Sequence, residues 1–250
     1  MKALRLLNPK QADAIAAMSA KVSERLYNVF PLQENYVNFS WKSPSGDSFP
    51  LFPTQDPAGE LNQWINGLGW ENHSPHVILL VGFGLGYEAK RIAGKLPPQG
   101  ILAIIEPDSY QFLTALHFVD LSILLESRQV HFYVGQEIEK SIESIGAELQ
   151  WGRFFNLPYQ IAVTNFLRRT RPDFSRQFPL KWRETLERER TKRRLRVEHG
   201  EAMVINTVAN AEVILDRPGA PILFHQLEGM PAILAAPGPL LRKSLRAIRD

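Results

Sequence analysis

The sequence predicts an α/β protein built on a parallel sheet, and three observations carry that prediction. First, Val77-Ile78-Leu79-Leu80-Val81 and Ile101-Leu102-Ala103-Ile104-Ile105 are continuous apolar runs, the pattern of strands buried on both faces. Second, further strands at 130–134 and 159–163 alternate with helical segments at 85–96, 109–118 and 138–149. Third, glycines stand at 82, 84 and 86, directly after the first run, where a strand must turn into a helix. Short alternation of this kind implies parallel neighbours joined by right-handed crossovers.

The flanking elements follow in chain order. Asn8-Pro9 offers a cap and a first-turn proline to a helix over 8–28, with Ala14, Ile15, Met18, Val22 and Leu26 at helical spacing. A β-hairpin comes next: Tyr36, Val37, Phe39 and Trp41 lie in one run, Phe49, Leu51 and Phe52 in another, and 43–47 makes the turn. A short helix is expected over 57–68. Trp41, Phe49, Trp64 and Trp70 are expected to fill core between hairpin and helix.

After the parallel unit the chain turns helical and basic. The stretch 179–216 reads as one long helix or a pair broken at Gly200. Val204, Val208, Ala211 and Leu215 recur on one stripe, so its C-terminal part is expected to pack on something. Residues 217–221 end it, and 231–236 give another buried-strand signal leading into the turn Pro237-Gly238-Pro239. The resulting division is 1–72 (helix and hairpin), 73–170 (a Rossmann-like unit), 171–227 (a basic helical connector) and 228–250 (the start of a second α/β domain, cut short).

Composition excludes several classes. With no cysteine there is no disulfide framework, thiolate metal site or cysteine nucleophile. The first residues lack the apolar core of a secretory signal, and the uncharged stretches 76–87 and 229–241 are too short to span a bilayer. A cytoplasmic protein with no membrane span is expected. The net charge of +3 conceals twelve Arg/Lys against five acids within 168–200. That segment is either a solvated helix face or a contact for an anionic partner; nothing else in the sequence points to nucleic acid. The histidines lack a partner set for a metal, and no nucleophile elbow, Walker loop or HExxH occurs.

The candidate site is Gly82-Phe83-Gly84-Leu85-Gly86 with Glu106 at the end of the next strand. Glycines there let a ligand approach the main chain, and a carboxylate at that place accepts hydrogen bonds from ribose hydroxyls. The other reading is a tight strand-to-helix turn that binds nothing. Asp108 is either a second ligand contact or the cap of the next helix. Tyr87 is bulky where the dinucleotide fingerprint has a small residue. The stretch 80–86 with Glu106 and the strand at 130–134 also resembles the first motifs of class I S-adenosylmethionine methyltransferases, although that family's acidic residue before the first glycine is here Leu80.

Wider stretches resemble the bacterial motility-accessory-factor family of flagellin glycosyltransferases. They are Val81 to Glu88, Ile105-Glu106-Pro107-Asp108, Asp120-Leu121-Ser122, His131 to Gly135, the Asn206 and Asn210 pair, and the turn at Gly238-Pro239. The resemblance implies transfer of a nonulosonic acid from a CMP-sugar donor to flagellin Ser/Thr hydroxyls, without a metal. It also implies flagellin or a flagellin–chaperone complex as partner, and a central domain related to one in archaeal pterin diphosphokinases. On this resemblance Gly82, Gly84, Gly86, Glu106, Asp108 and Gly238 are the candidate binding residues for a nucleotide-type small molecule. The family's Gly-Pro-Ser-Leu turn has Leu240 in place of serine, and its transfer chemistry is expected beyond Asp250, so this chain is expected to be inactive as it stands. Two alternatives remain: a methyltransferase-like or other nucleotide-binding protein, and a non-enzymatic module that grips flagellin through 180–215.

Overall fold

The computed structural model describes residues 27, 29–33, 36–43, 45–70 and 75–216. The helix expected over 8–28, apart from Tyr27, and everything expected beyond 216, Gly238 included, lie outside the described residues. The chain divides into two units, Met1–Arg193 and Arg194–Asp250.

The first unit carries two sheets. An antiparallel sheet is formed by β1 (Val29–Gln33), β2 (Tyr36–Lys42) and β3 (Ser48–Pro50) in that order. The expected hairpin is β2 and β3, with Trp41 opposite Phe49. Strand β1 is an addition that the sequence reading lacked. Pro31 argues against a strand, yet it is tolerated here because β1 is an edge and its pairing is irregular between Pro31 and Gln33.

The second sheet is parallel throughout: β4 (Val77–Val81), β5 (Ile101–Glu106), β6 (Val130–Val134) and β7 (Tyr159–Val163), in the order β6-β5-β4-β7. The α/β class with a Rossmann-like sheet is thereby shown. All of β4 and β5 is buried, as continuous apolar strands in the middle of such a sheet must be.

The helices are α1 (Pro57–Asn66), α2 (Tyr87–Ala93), α3 (Ser109–Phe118), α4 (Ser122–Leu125), α5 (Ile138–Leu149), α6 (Trp151–Asn156), α7 (Asn165–Thr170), α8 (Pro172–Ala209) and α9 (Ala211–Asp216). Helix α2 is shorter than the expected 85–96, because Gly86, with φ 85°, caps its start and Gly94 its end. Helices α4, α6 and α7 add to the expected elements; one or two turns leave too little periodicity to read. Helix α8 starts earlier than expected and contains Gly200, and the break falls at Asn210. A lone glycine inside a helix costs only about 1 kcal/mol, which long helices absorb.

Each face of the parallel sheet is covered. On one, Ile78, Leu80, Leu102, Ile104 and Phe132 pack with Leu61, Ile92 and Phe112 from the helices, with Phe39 of β2 and with Leu51 and Phe52 just after β3. Trp41, Phe49, Trp64 and Trp70 lie against this core, as expected. The expected boundary near 72 therefore does not separate two cores. On the other face, Val77, Leu79, Val81, Ala103 and Ile105 meet Ile142 and Ile145 of α5 and Phe178, Trp182 and Leu186 of α8. Phe178, Trp182 and Leu186, read as connector, are thus core.

In the second unit the stripe expected to pack is exposed: Val204 at 64%, Val208 at 70% and Leu215 at 83%. No described helix is long and apolar enough to cross a membrane.

Candidate functional site: the glycine turn at the sheet switch point

The chain adds β5 and then β6 on one side of β4, and returns to place β7 on the other. Doubly wound sheets bind ligands at such a reversal, in a crevice outside the carboxyl ends of the strands. Here those ends are Gly82, after β4, and Thr164, after β7.

The crevice is filled. A Cβ on Gly82, whose φ is 94°, would lie 2.3 Å from Thr164 Oγ1 and 2.9 Å from Leu167 Cβ. Thr164 is held there from both directions. Its N–H donates to the Val81 carbonyl at 3.0 Å, and its hydroxyl accepts the Leu167 N–H at 3.3 Å, capping α7. A Cβ on Gly84 would lie 2.8 Å from Leu51 Cδ1, and one on Gly86 would lie 2.7 Å from both Leu121 Cδ2 and Phe83 Cζ. The intervening Phe83 and Leu85 are wholly buried. The glycines are required because other parts of this chain approach the turn closely.

Glu106 comes together with the glycine turn as the sequence led one to expect. Its oxygens are already engaged: Oε2 accepts the Phe83 N–H and Gln111 Nε2–H, both at 2.8 Å, and Oε1 accepts the Asp108 N–H at 2.7 Å. At 1% exposure it has no open side for a ribose. Burial pushes its carboxyl up to about 7, while the backbone donors from Asp108 and Phe83 pull the other way.

Asp108 takes the capping role of its two readings. Its Oδ1 accepts the Tyr110 and Gln111 N–H groups at 2.9 and 3.2 Å, starting α3. Its Oδ2 accepts the Tyr27 hydroxyl at 2.7 Å, with Arg171 Nη2 at 3.7 Å. Burial, first, and then the Asp108 carboxylate raise the Tyr27 hydroxyl well above its ordinary value, so that it stays a donor.

The antiparallel sheet lies over the turn. Tyr87, the residue that breaks the dinucleotide pattern, is an anchor: its hydroxyl accepts the Val37 N–H at 2.9 Å, and its ring packs on Tyr36 and Phe52 at centroid distances of 5.1 and 5.7 Å. Arg169 of α7 clamps the same segment by donating from Nη2 to the Pro50 and Leu51 carbonyls at 3.0 and 2.8 Å. Beneath, Glu88 is buried with Oε2 lacking a partner among the described residues, and burial pushes it up to about 7. The sequence reading missed Tyr27, Leu51, Leu121, Thr164, Leu167 and Arg169. Only Thr164, a capping residue directly after a strand, left a local signal.

No family model and no curated protein matches the chain. Among solved structures, one described as a "putative O-methyltransferase from Klebsiella pneumoniae" is similar at 24% identity, covering 36% of this chain and 37% of that one, with a TM-score of 0.26. At that score the similarity carries no argument about chemistry.

Proposed function

We propose that this chain is the N-terminal part of a motility-accessory-factor-type glycosyltransferase, and that its parallel-sheet unit works there as a closed scaffold. The observation that supports a scaffold is the turn itself: Thr164, Leu167, Leu51, Leu121 and Phe83 fill the hollow around Gly82, Gly84 and Gly86. The support for the family is the order of motifs given above, and transfer from a CMP-sugar belongs, on this reading, to residues outside the glycine turn.

Isothermal titration of the full chain with CMP, S-adenosylmethionine and NAD tests the scaffold. No saturable heat is expected with any of them; saturable heat that a Gly84→Trp variant loses would establish a working cleft instead. The family reading is tested separately, by deleting the gene in its host and weighing flagellin. The expected result is loss of the mass of a nonulosonic acid, and an unchanged mass overturns it.

The exposed stripe of the second unit favours one further reading, a module that grips flagellin without catalysis. It predicts that flagellin pulldown survives Gly84→Trp but not Val204→Asp combined with Val208→Asp.

A further inference from the structure

The outer edge of β7 is a different kind of surface from the filled turn. In a strand the backbone groups of alternate residues point to alternate edges. The Pro158 carbonyl accepts from Val77 N–H, and the Thr164 N–H donates to Val81, so the even-numbered residues of β7 face β4. Tyr159, Ile161 and Val163 face outward. Of their backbone groups only the Val163 carbonyl is engaged among the described residues, by Trp64 Nε1–H at 3.2 Å. Strand β7 is the last of its sheet among the described residues, at the position where larger doubly wound sheets add their next strand.

Edges of this kind are normally blunted by proline, lysine or a bulge within the strand. The sequence Tyr159-Gln160-Ile161-Ala162-Val163 has none of these. Beside it runs a groove of about 710 Å³, bounded by β7, the end of α7 and the first turns of α8. The groove is held open by packing on its far wall. Phe174, Phe178 and Trp182 stack along α8, with Phe178 and Trp182 fully buried, and fix that helix against the sheet. The adjoining side of the helix then projects Arg176 and Arg183 into the groove, and α7 adds Arg168. No acid lines it. Arg176 is paired with Asp173 at 2.8 Å, whereas Arg168 and Arg183 have no acidic partner among the described residues.

We propose that this groove takes an extended, acidic polypeptide segment, which adds to the sheet as a strand beside β7 and sets its carboxylates against Arg168, Arg176 and Arg183. Outward amides and carbonyls of Tyr159 and Ile161 supply the ladder, which gives affinity without regard to side chain. The arginines supply selection by charge and set the register. They also disfavour a second copy of this chain on the same edge, since two such grooves face to face would bring like charges together. The groove would act in this way whether or not the family reading holds.

The test uses the full chain and a labelled, end-blocked peptide Glu-Val-Glu-Val-Glu-Val-Glu, followed by fluorescence anisotropy. Saturable binding is expected. It should weaken at least about tenfold in a variant carrying Arg168→Glu and Arg183→Glu, and by a similar factor when alternate peptide nitrogens are methylated, which removes ladder donors but keeps the charge. The peptide with lysine in place of glutamate should not bind. Both arginines are exposed, so an unchanged circular dichroism melt is expected for the variant. Absence of saturable binding overturns the proposal. Equal binding of the methylated peptide overturns the strand ladder, and tighter binding of oligothymidylate with the same arginine dependence assigns the groove to nucleic acid instead. Concentration-dependent dimers in light scattering that Arg168→Glu abolishes would assign it to a second copy.

Discussion

The two sides of β7 present opposite relations between sequence motif and open surface. At its carboxyl end, beside β4, stand the residues that look most like a binding site: three glycines and a buried acid. There Thr164 Oγ1 would be 2.3 Å from a Gly82 Cβ, and all three donors to Glu106 belong to this chain. Along its outer edge the sequence shows nothing but five ordinary strand residues. Yet among the described residues that edge has unpaired backbone groups and a groove bounded by arginines from two helices. Glycine after a strand reports close approach of something to the main chain. It does not report whether that something is a ligand or the protein itself.

The largest expected effect breaks the filled end. Gly82→Ala places a Cβ against Thr164 and Leu167 at a positive φ, and combines left-handed strain with overpacking, together about 2–5 kcal/mol. A denaturant titration should show the midpoint falling; a shift within error would mean that the turn has room, and with it a cleft.

A smaller effect concerns the buried acids. Glu88 titrates near 7 in the folded chain, above its ordinary 4.5, because burial penalises its charge. A raised folded value means stability that is full below the unfolded value and is lost as pH rises through the folded one. Stability should therefore decline as pH is raised from about 4.5 to 7 and then level off, with Glu106 contributing in the same window. Glu88→Met, which removes the charge at similar length, should raise stability by about 2 kcal/mol at about pH 8 and much less at about pH 4. Melting curves across pH check this, and an equal gain at both ends would show that folding does not raise the Glu88 pKa.

The smallest effect lies in the second unit. Gly200 is helical, with open space where an added methyl group would sit, so Gly200→Ala should stabilise its helix by about 0.5–1 kcal/mol, read as a gain in helical ellipticity on heating. The contrast with Gly82 would show how far a glycine's surroundings, and not its residue type, set its role.

Much of the architecture was legible in the residues. The strands at 77–81, 101–106, 130–134 and 159–163 and helices at 109–118 and 138–149 lie where periodicity placed them, because buried parallel strands and amphipathic helices leave local patterns. Asp108 as a cap was legible for the same reason: capping is a contact between near neighbours in sequence. Strand β1 and the short helices were hidden, one by Pro31 and the others by their length. The filling of the site was hidden for a different reason. Leu51, Leu121 and Leu167 reach the glycine turn, and Tyr27 reaches Asp108, from distant parts of the chain, and nothing in their own neighbourhoods marks them for it.

By itself, then, the amino-acid order determined the α/β class, the strand positions and the need for small residues after β4, since each follows from interactions within a few residues. Tertiary packing alone decided that the hollow at the switch point is occupied by Thr164, Leu51 and Leu121, and that the open surface lies on the far edge of β7. Which side chain fills a space depends on how distant elements converge, and that convergence is a property of the assembled core.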